Sequence, residues 1–280
     1  MLAALGLVGL AGAQLSVREW GSPSIFCRIL DSRIDESSGI APSRQYPGEY
    51  YTHNDSGDTA RFFRFNASGS VTGVFSLSGV TARDWEEMAT ARIDNKNYVY
   101  LADIGDNNSQ YSSVHIYRCE EPSGSSGVIT NFHDYQVTYP SGARNAEALM
   151  IDPKTGDIWV VQKVNGKGGI YRLRRPSQSG NYQFQYVGSI DFPDGLAPLR
   201  VITGASASPE GKSLILRTYS YAYEFPIPGK DFSSWLHSRS KRVQIAAEIQ
   251  GESICYSLDG KTLLTTSEGN PCPVSKVVLK

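Results

Sequence analysis

The sequence predicts an all-β fold, a single β-propeller for which five blades are favoured and six remain possible. Two observations lead to this prediction: one phrase recurs along the chain, and no stretch of 12 residues shows clear helical periodicity. The phrase consists of a polar or acidic residue, a small residue, two apolar residues, a turn and a short apolar run. Its copies begin 48, 61, 56 and 49 residues apart, at Ser38, Glu86, Glu147, Thr203 and Glu252. Periods of about 40–50 residues built from short strands are typical of propeller blades.

Each of the first four copies is followed by further candidate strands, which together make the four-stranded unit of a blade. The fifth copy contains only ICYS, LLTTS and VSKVVLK before the chain ends, so it lacks one strand. The segment SIFCRILD, at residues 24–31, precedes the first copy and belongs to no other blade. We expect this segment to complete the fifth blade as its outer strand, because such closure leaves no open sheet edge at the junction.

The first 13 residues, MLAALGLVGLAGA, are apolar and small and end in an A-x-A pattern. This pattern predicts a signal peptide at residues 1–13, a propeller domain at residues 14–280 and an extracellular protein. The apolar stretch is too short to span a membrane, and an N-terminal strand is the alternative interpretation. Sequons at Asn54, Asn66 and Asn107 predict glycosylation, with Asn66 in the most favourable turn.

Four cysteines suit an oxidising compartment and lack the spacing of metal ligands. Cys27 lies on the predicted closing strand and Cys272 near the strand beside it, so we favour a Cys27–Cys272 disulfide among the possible pairings. Cys119 and Cys255 are expected to be buried thiols.

Basic and acidic residues are nearly balanced, at 27 and 28. This balance indicates neither nucleic acid nor an anionic membrane as a partner. We expect a monomer.

In a propeller blade, the first strand begins at one face and the second strand returns to it, so these positions from all blades meet at one mouth of the central channel. The mouth read from the sequence is rich in carboxylates. We predict ligand-binding roles for Glu36, His53, Asp84, Asp103, Asp106, Lys163 and Arg217. The predicted metal ligands are Glu86, Glu147 and Glu252, and the predicted catalytic groups are Asp55 and Glu268.

Crowded carboxylates repel one another, so either some of them take up protons or a hard cation with oxygen ligands neutralises them. Calcium is the expected cofactor. A cation together with Lys163 and Arg217 would hold a small anionic molecule, with Asp55 or Glu268 as a general base.

A purely structural interpretation remains open. Asp, Asn and Gly in loops such as NDSGD and DIGDN also serve tight turns, and a Glu at a strand start can cap backbone amides around the channel. Lys163 and Arg217 could be structural partners of Glu147 and Glu252. The four histidines lack zinc-site spacing, and the sequence contains neither a G-x-S-x-G elbow nor a G-x-G-x-x-G turn after a strand.

The phrases ESSGIA, THNDSGD, RDWEEMA, DIGDN, EALMIDP, TGASASPEGKSLILRTY, GESICY and TSEG resemble a set of secreted, largely uncharacterised β-propellers. These belong with the TolB-like, NHL-like and phytase-like propellers, and the resemblance covers roughly residues 36–280. It implies a propeller fold. The related proteins range from calcium-dependent hydrolases and lactonases to binding modules, so the resemblance implies no single activity. Thr203 departs from the acidic start of the other phrases.

Two functions follow as hypotheses. The first is a secreted propeller that binds a small polar or anionic molecule, or a protein partner, at an acidic mouth with calcium. The alternative is a calcium-dependent hydrolase of phosphoesters, lactones or glycosides that uses the clustered carboxylates. A hydrolase needs converging acids with shifted pKa values in a wet mouth, whereas a scaffold would pair the acids with Lys163, Arg217 and backbone amides.

Overall fold

The computed structural model describes residues 18–280, so the predicted signal peptide at residues 1–13 lies outside the described residues. The described chain is almost entirely β-structure, with two short 3₁₀ turns at Ala197–Leu199 and Phe232–His237. Its strands are β1 (Ser24–Ile29), β2 (Ser37–Pro42), β3 (Glu49–Asn54), β4 (Arg61–Asn66), β5 (Val71–Leu77), β6 (Trp85–Ile93), β7 (Lys96–Asp103), β8 (Val114–Glu120), β9 (Ser126–Ile129), β10 (Phe132–Thr138), β11 (Ala146–Ile151), β12 (Ile158–Gln162), β13 (Gly168–Leu173), β14 (Gly180–Gln183), β15 (Gln185–Ile190), β16 (Ile202–Ala207), β17 (Ser213–Thr218), β18 (Ala222–Pro226), β19 (Lys241–Val243), β20 (Gly251–Tyr256), β21 (Thr262–Ser267) and β22 (Cys272–Val278).

Residues 18–280 form five sheets, which are the five blades of a β-propeller. From the channel outward, the blades contain β2-β3-β4-β5, β6-β7-β8-β10, β11-β12-β13-β15, β16-β17-β18-β19 and β20-β21-β22-β1. The inner strands β2, β6, β11, β16 and β20 each contact the inner strands of both neighbouring blades and so close the ring. The prediction of five blades is confirmed, and β1 pairs antiparallel with β22 as predicted for the closing strand.

The core is divided among the interfaces between successive blades. In the described part of the chain, each pair of adjacent blades encloses its own cluster of buried apolar side chains. Trp159 of blade three, for example, packs against Phe232 and Trp235 of blade four, with ring centroids 5.5 and 6.4 Å apart. The strands are apolar on both faces because both faces of each blade are covered by a neighbour.

Two outer strands were not predicted. β9 follows β8 of blade two but pairs in parallel with β5 of blade one, and β14 pairs in parallel with β10 of blade two. β9 includes the last two residues of the polar segment PSGSSG at residues 122–127. Both strands cover an exposed blade edge and link neighbouring blades.

The predicted disulfide is not formed: the four cysteines, all within residues 18–280, are free buried thiols. Cys27 lies opposite Val274, whereas Cys272 lies opposite Ile29, so the two thiols are offset along paired strands. Burial raises the pKa of Cys27 to about 11 and that of Cys119 to about 12, which keeps both thiols protonated. The expectation that Cys119 and Cys255 are buried thiols is confirmed.

Within residues 18–280, no helix is long and apolar enough to cross a membrane.

Candidate functional site

Each inner strand carries a β-bulge at the first residue of the repeated phrase. In blade two, for example, Trp85 pairs with Asp103 and Glu87 with Ala102, which leaves Glu86 as the extra residue. The bulged residues are Ser38, Glu86, Glu147, Thr203 and Glu252. A bulge interrupts the alternation of side chains and re-aims one of them. The sequence repeat is therefore the signature of a bulge that recurs at one end of the channel.

The two hydroxyl members of this set link neighbouring blades. Ser38 donates a hydrogen bond from Oγ to the backbone oxygen of Glu86 (2.8 Å), and Thr203 donates from Oγ1 to the backbone oxygen of Gly251 (2.8 Å). Glutamates occupy the bulge in blades two, three and five. The bulge thus serves backbone pairing in two blades and presents a carboxylate in the other three.

Three carboxylates from blades one and two form the tightest acidic cluster. Oxygen atoms of Asp55, Asp84 and Glu86 all lie within 4.8 Å of one another. Burial, together with the charge of Asp55 and a hydrogen bond to it, raises the pKa of Asp84 to about 7. Burial and the charge of Glu147 raise the pKa of Glu86 well above its ordinary value. The cluster therefore carries more negative charge than its surroundings can neutralise.

Backbone contacts hold these carboxylates close together. Asp84 donates from its backbone nitrogen to Oδ1 of Asp103 (3.0 Å) and accepts from the nitrogen of Gly105 at its backbone oxygen (3.1 Å). A Cβ atom at Gly105 would lie 2.3 Å from both Asp84 Oδ2 and Glu86 Oε1. Gly105, in the loop DIGDN, is required because any larger residue would occupy the space of these oxygens.

A lysine and a glutamate from blade three form the adjacent part of the mouth. Lys163 donates a hydrogen bond from Nζ to Oε1 of Glu147. Burial raises the pKa of Glu147 to about 8 although the charge of Lys163 opposes this shift. Burial alone would lower the pKa of Lys163, but the charge of Glu147 and the hydrogen bond to it together outweigh burial and raise this pKa. Lys163 Nζ also lies 5.4 Å from the ring centre of Tyr219, so this cation lies between a carboxylate and an aromatic face.

Blades five and one complete the mouth. Burial raises the pKa of Glu252, against the opposing charges of Lys163 and Arg217. Burial, followed by the charges of Glu252 and Asp55, raises the pKa of Glu268 to about 7. Burial, followed by the charges of Asp35 and Asp55, also raises the pKa of Glu36. Asp55 also donates from its backbone nitrogen to the backbone oxygen of Glu36 (2.9 Å), and its charge acts on both Glu36 and Glu268.

Arg217, predicted to bind a ligand, is fully buried. It donates to the backbone oxygens of Ser253 (2.9 Å) and Thr266 (3.1 Å) and to Oε2 of Glu248 (2.5 Å). Both terminal nitrogens, Nη1 and Nη2, are therefore used by groups of the protein itself. Arg217 is joined to Glu248 rather than paired directly with Glu252.

The predicted residues Asp103, Asp106 and His53 are also buried. The carboxylate of Asp103 accepts from the backbone nitrogens of Arg83 (3.2 Å) and Asp84 (3.0 Å), and burial raises its pKa. The carboxylate of Asp106 accepts from two backbone nitrogens of its own loop at 2.8 Å. Burial lowers the pKa of His53, whose ring lies 5.5 Å from that of Trp85. Asp103 and Asp106 have the loop contacts that the structural interpretation describes.

Glu87 is an important residue to which the sequence analysis assigned no role. It is fully buried in the channel below the mouth. It accepts hydrogen bonds from the backbone nitrogens of Met88 (3.0 Å), Ala205 (3.2 Å) and Ile40 (3.4 Å), and from the hydroxyl of Ser253. These donors lie on the inner strands of blades two, four, one and five.

A signal for Glu87 is present in the repeat. The other copies have a small residue at this position, namely Gly39, Ala148, Gly204 and Ser253. The one large polar side chain fills the channel space that the small residues leave. Capping of backbone amides around the channel, considered for the bulge glutamates, is thus carried out by their neighbour Glu87.

No protein-family model matches the sequence, and the search of curated proteins gave no match. Among solved structures, a gluconolactonase from Xanthomonas campestris is similar, with 13% sequence identity and a TM-score of 0.50 over 87% of this chain and 72% of that chain. A luciferin-regenerating enzyme matches with 9% identity and a TM-score of 0.49, over 92% and 97% of the two chains. At 13% identity, the similarity to the gluconolactonase shows the propeller fold alone.

Proposed function

We propose that the channel mouth binds a divalent cation through Asp55, Asp84 and Glu86, and that the protein hydrolyses a small carbonyl ester there. The observation that carries the proposal is the approach of these carboxylate oxygens to within 4.8 Å of one another. Carboxylate oxygens are the ligands that calcium prefers, and a cation would replace the protons that the crowded groups otherwise retain. The glycine at position 105 keeps this space open, which supports a bound ion.

This ligand set differs from the one that the repeat predicts. Of the predicted ligands, Glu86 belongs to the cluster, whereas Glu147 is joined to Lys163 and Glu252 lies in the field of the same lysine. Asp55 and Asp84 come from loops rather than from the bulges. We therefore propose calcium ligation by one bulge glutamate and two loop aspartates.

The remaining groups of the mouth match the needs of ester hydrolysis. A bound cation would polarise the substrate carbonyl. Glu268, with a pKa of about 7, is the proposed general base because Asp55 is assigned to the cation. It takes one proton from water as the water oxygen bonds to the carbonyl carbon. The carbon–oxygen ester bond then breaks, and the proton passes to the leaving oxygen. Lys163 would stabilise the developing negative charge.

Lactones are the first substrates to test. Their hydrolysis needs only water and yields one hydroxy acid, whose new carboxylate would find a cation and Lys163 at the mouth. The fold similarity to a gluconolactonase supports this choice at the level of the fold. Extracellular localisation, predicted from the sequence, is part of the proposal.

A second candidate is the capture of a small polar or anionic ligand, or of a protein partner, without chemistry. It is favoured by the Glu147–Lys163 ion pair and by Glu87, whose hydrogen bonds close the channel below the mouth. In that case, a ligand would bind but would not be consumed.

The test combines a thermal melt with a lactonase assay. Calcium is expected to raise the Tm of the wild-type protein, and chelator is expected to reverse this rise. Proton release from δ- and γ-lactones should depend on calcium. Asp84→Asn should lose both effects, whereas Glu268→Gln should retain the Tm rise and lose most of the hydrolysis.

Asp134→Asn is the matched control because Asp134 lies on the outer strand of blade two, where it contacts His115. This variant should behave as the wild-type protein does. A calcium-dependent Tm rise without hydrolysis of any lactone would favour the binding function. If calcium changed neither the Tm nor the rate of lactone hydrolysis, the proposed cation site would be overturned.

A further inference from the structure

The loop between β15 and β16 exposes a run of apolar residues, Leu196-Ala197-Pro198-Leu199. The 3₁₀ turn Ala197–Leu199 contains no buried residue. Leu196 is 72% exposed and Leu199 is 41% exposed. Scattered single apolar residues are normal on a protein surface, but four in succession form a patch that water solvates poorly.

Both ends of this loop are fixed to blade four. Phe192 is buried and stacks on Tyr223, with ring centroids 3.9 Å apart and an interplanar angle of 9°. The hydroxyl of Tyr223 donates to Oδ2 of Asp194 (3.2 Å). At the other end, Ile202 is buried in the core between blades three and four. Because both ends of the loop are anchored, the apolar run between them stays exposed to solvent.

The loop lies at the channel mouth. It leads directly into β16, whose bulge at Thr203 belongs to the ring of bulged residues at this end. A Cβ atom at Gly195 would lie 3.2 Å from Oγ of Ser220, so the loop lies against the residue next to Tyr219. Tyr219 in turn contacts Lys163, and the neighbouring Val164 is 37% exposed. We call Val164, Leu196 and Leu199 the apolar rim.

The mouth is therefore asymmetric. Blades one and two contribute the carboxylates Asp55, Asp84 and Glu86 on one side. On the other side, blade three adds Val164 beside its Glu147–Lys163 pair, and the loop into blade four adds Leu196 and Leu199. Lys163 lies between the two sides. A ligand that used the whole mouth would be polar at one end and hydrocarbon at the other.

We propose that the apolar rim is a subsite for the alkyl part of the substrate. The substrate class is then a lactone with an unbranched alkyl side chain rather than a polyhydroxylated lactone. This inference rests on the proposed function, because the polar end of the ligand is assigned to the site of hydrolysis. Removal of each methylene from water onto the rim should raise kcat/KM by about two- to fourfold.

The experiment measures hydrolysis of γ-lactones that carry no side chain or side chains of two, four and six carbons, with calcium present. In the wild-type protein, kcat/KM should rise along this series. Leu196→Ser and Leu199→Ser should flatten the rise while leaving the rate for the unsubstituted lactone nearly unchanged. Leu258→Ser is the matched control: Leu258 is also exposed, but it lies in the turn between β20 and β21 at the opposite end of the channel.

Binding of the corresponding alkyl lactams, which resist hydrolysis, separates the two proposals. If lactones are hydrolysed at rates independent of chain length, the rim proposal is wrong and the proposed function stands. If no lactone is hydrolysed but lactam affinity rises with chain length in the wild-type protein and not in Leu196→Ser, the rim stands and the proposed function fails. Light scattering tests whether a second copy of the chain covers the rim. If the wild-type protein is a dimer and Leu196→Ser is a monomer, a second copy covers the rim and the proposal is overturned.

Discussion

Glu86 and Glu87 are neighbours in sequence, and both are buried, yet they belong to two different regions of the molecule. Glu87 lies in the channel, where backbone nitrogens of Met88, Ala205 and Ile40 donate to its carboxylate. Glu86 lies at the mouth beside Asp55 and Asp84. In the part of the chain that the structure describes, no group donates a hydrogen bond to the Glu86 carboxylate.

The difference shows how the same residue type can either stabilise the fold or form part of a functional site. Burial raises the pKa of both residues well above the ordinary value. Hydrogen-bond donors lower it at Glu87, whereas other carboxylates raise it further at Glu86. A buried acid that is surrounded by donors stabilises the fold, and a buried acid that is surrounded by acids needs a cation or a proton. The bulge at Glu86 separates the two cases because it turns adjacent side chains into different surroundings.

The largest expected effect is a difference in the free energy of unfolding between variants of the two glutamates. Glu87→Ala should lower the free energy of unfolding by about 3–5 kcal/mol, because it leaves buried donors from several blades without an acceptor. Glu86→Ala should change it by less than about 1 kcal/mol in chelator, since relief of carboxylate repulsion offsets the lost packing. Urea unfolding at pH 7 measures both. Equal losses in the two variants would contradict the distinction between channel and mouth.

The next effect concerns the space beside Glu86. Calcium at one hundred times its Kd should raise the Tm of the wild-type protein by about 5–10 °C. Gly105→Ala should remove most of this rise, because the new Cβ would displace the oxygens of Asp84 and Glu86. Gly127→Ala is the matched control, since a Cβ there meets nothing within 4 Å. A full calcium response in Gly105→Ala would place the ion elsewhere.

The smallest effect is the pH dependence of stability in chelator. The folded-state pKa values of Glu268 and Glu147, about 7 and about 8, exceed the ordinary value of 4.5. The folded chain therefore binds more protons, so this contribution to stability is complete below pH 4.5 and is lost as the pH rises through 7 and 8. Tm should fall across this window, and Glu147→Gln should make the fall shallower. A Tm that rises with pH over the same range would show that other groups dominate.

The repeat predicted the blades because each copy carries its own strand pattern and turn. Ser38, Glu86, Glu147, Thr203 and Glu252 were recognised as equivalent, and the structure shows that they share a bulge. The strands β9 and β14 were missed because each is short and pairs with the blade before its own. The Cys27–Cys272 pairing failed since adjacency of strands does not specify register.

Only part of the candidate site was predicted from the sequence. Topology alone brought acids to one mouth, and Asp55, Asp84 and Glu86 were all among the residues selected. Their grouping as one cluster was not predicted. The pairing of Lys163 with Glu147 was considered in the structural interpretation, and the structure shows it. Arg217 was expected at the mouth because it ends a second strand, yet its guanidinium is used by Glu248 and backbone oxygens.

The number of blades, the closing role of β1 and the acidic character of one channel end follow from the amino-acid sequence, because strand periodicity and repetition are local patterns. Which carboxylates cluster together, pair with a lysine or accept from backbone donors depends on contacts between distant segments. Glu87 and Ser253, for example, are 166 residues apart and on different blades. No local pattern encodes such a contact, since it exists only once the ring has closed and the bulges have aimed their side chains.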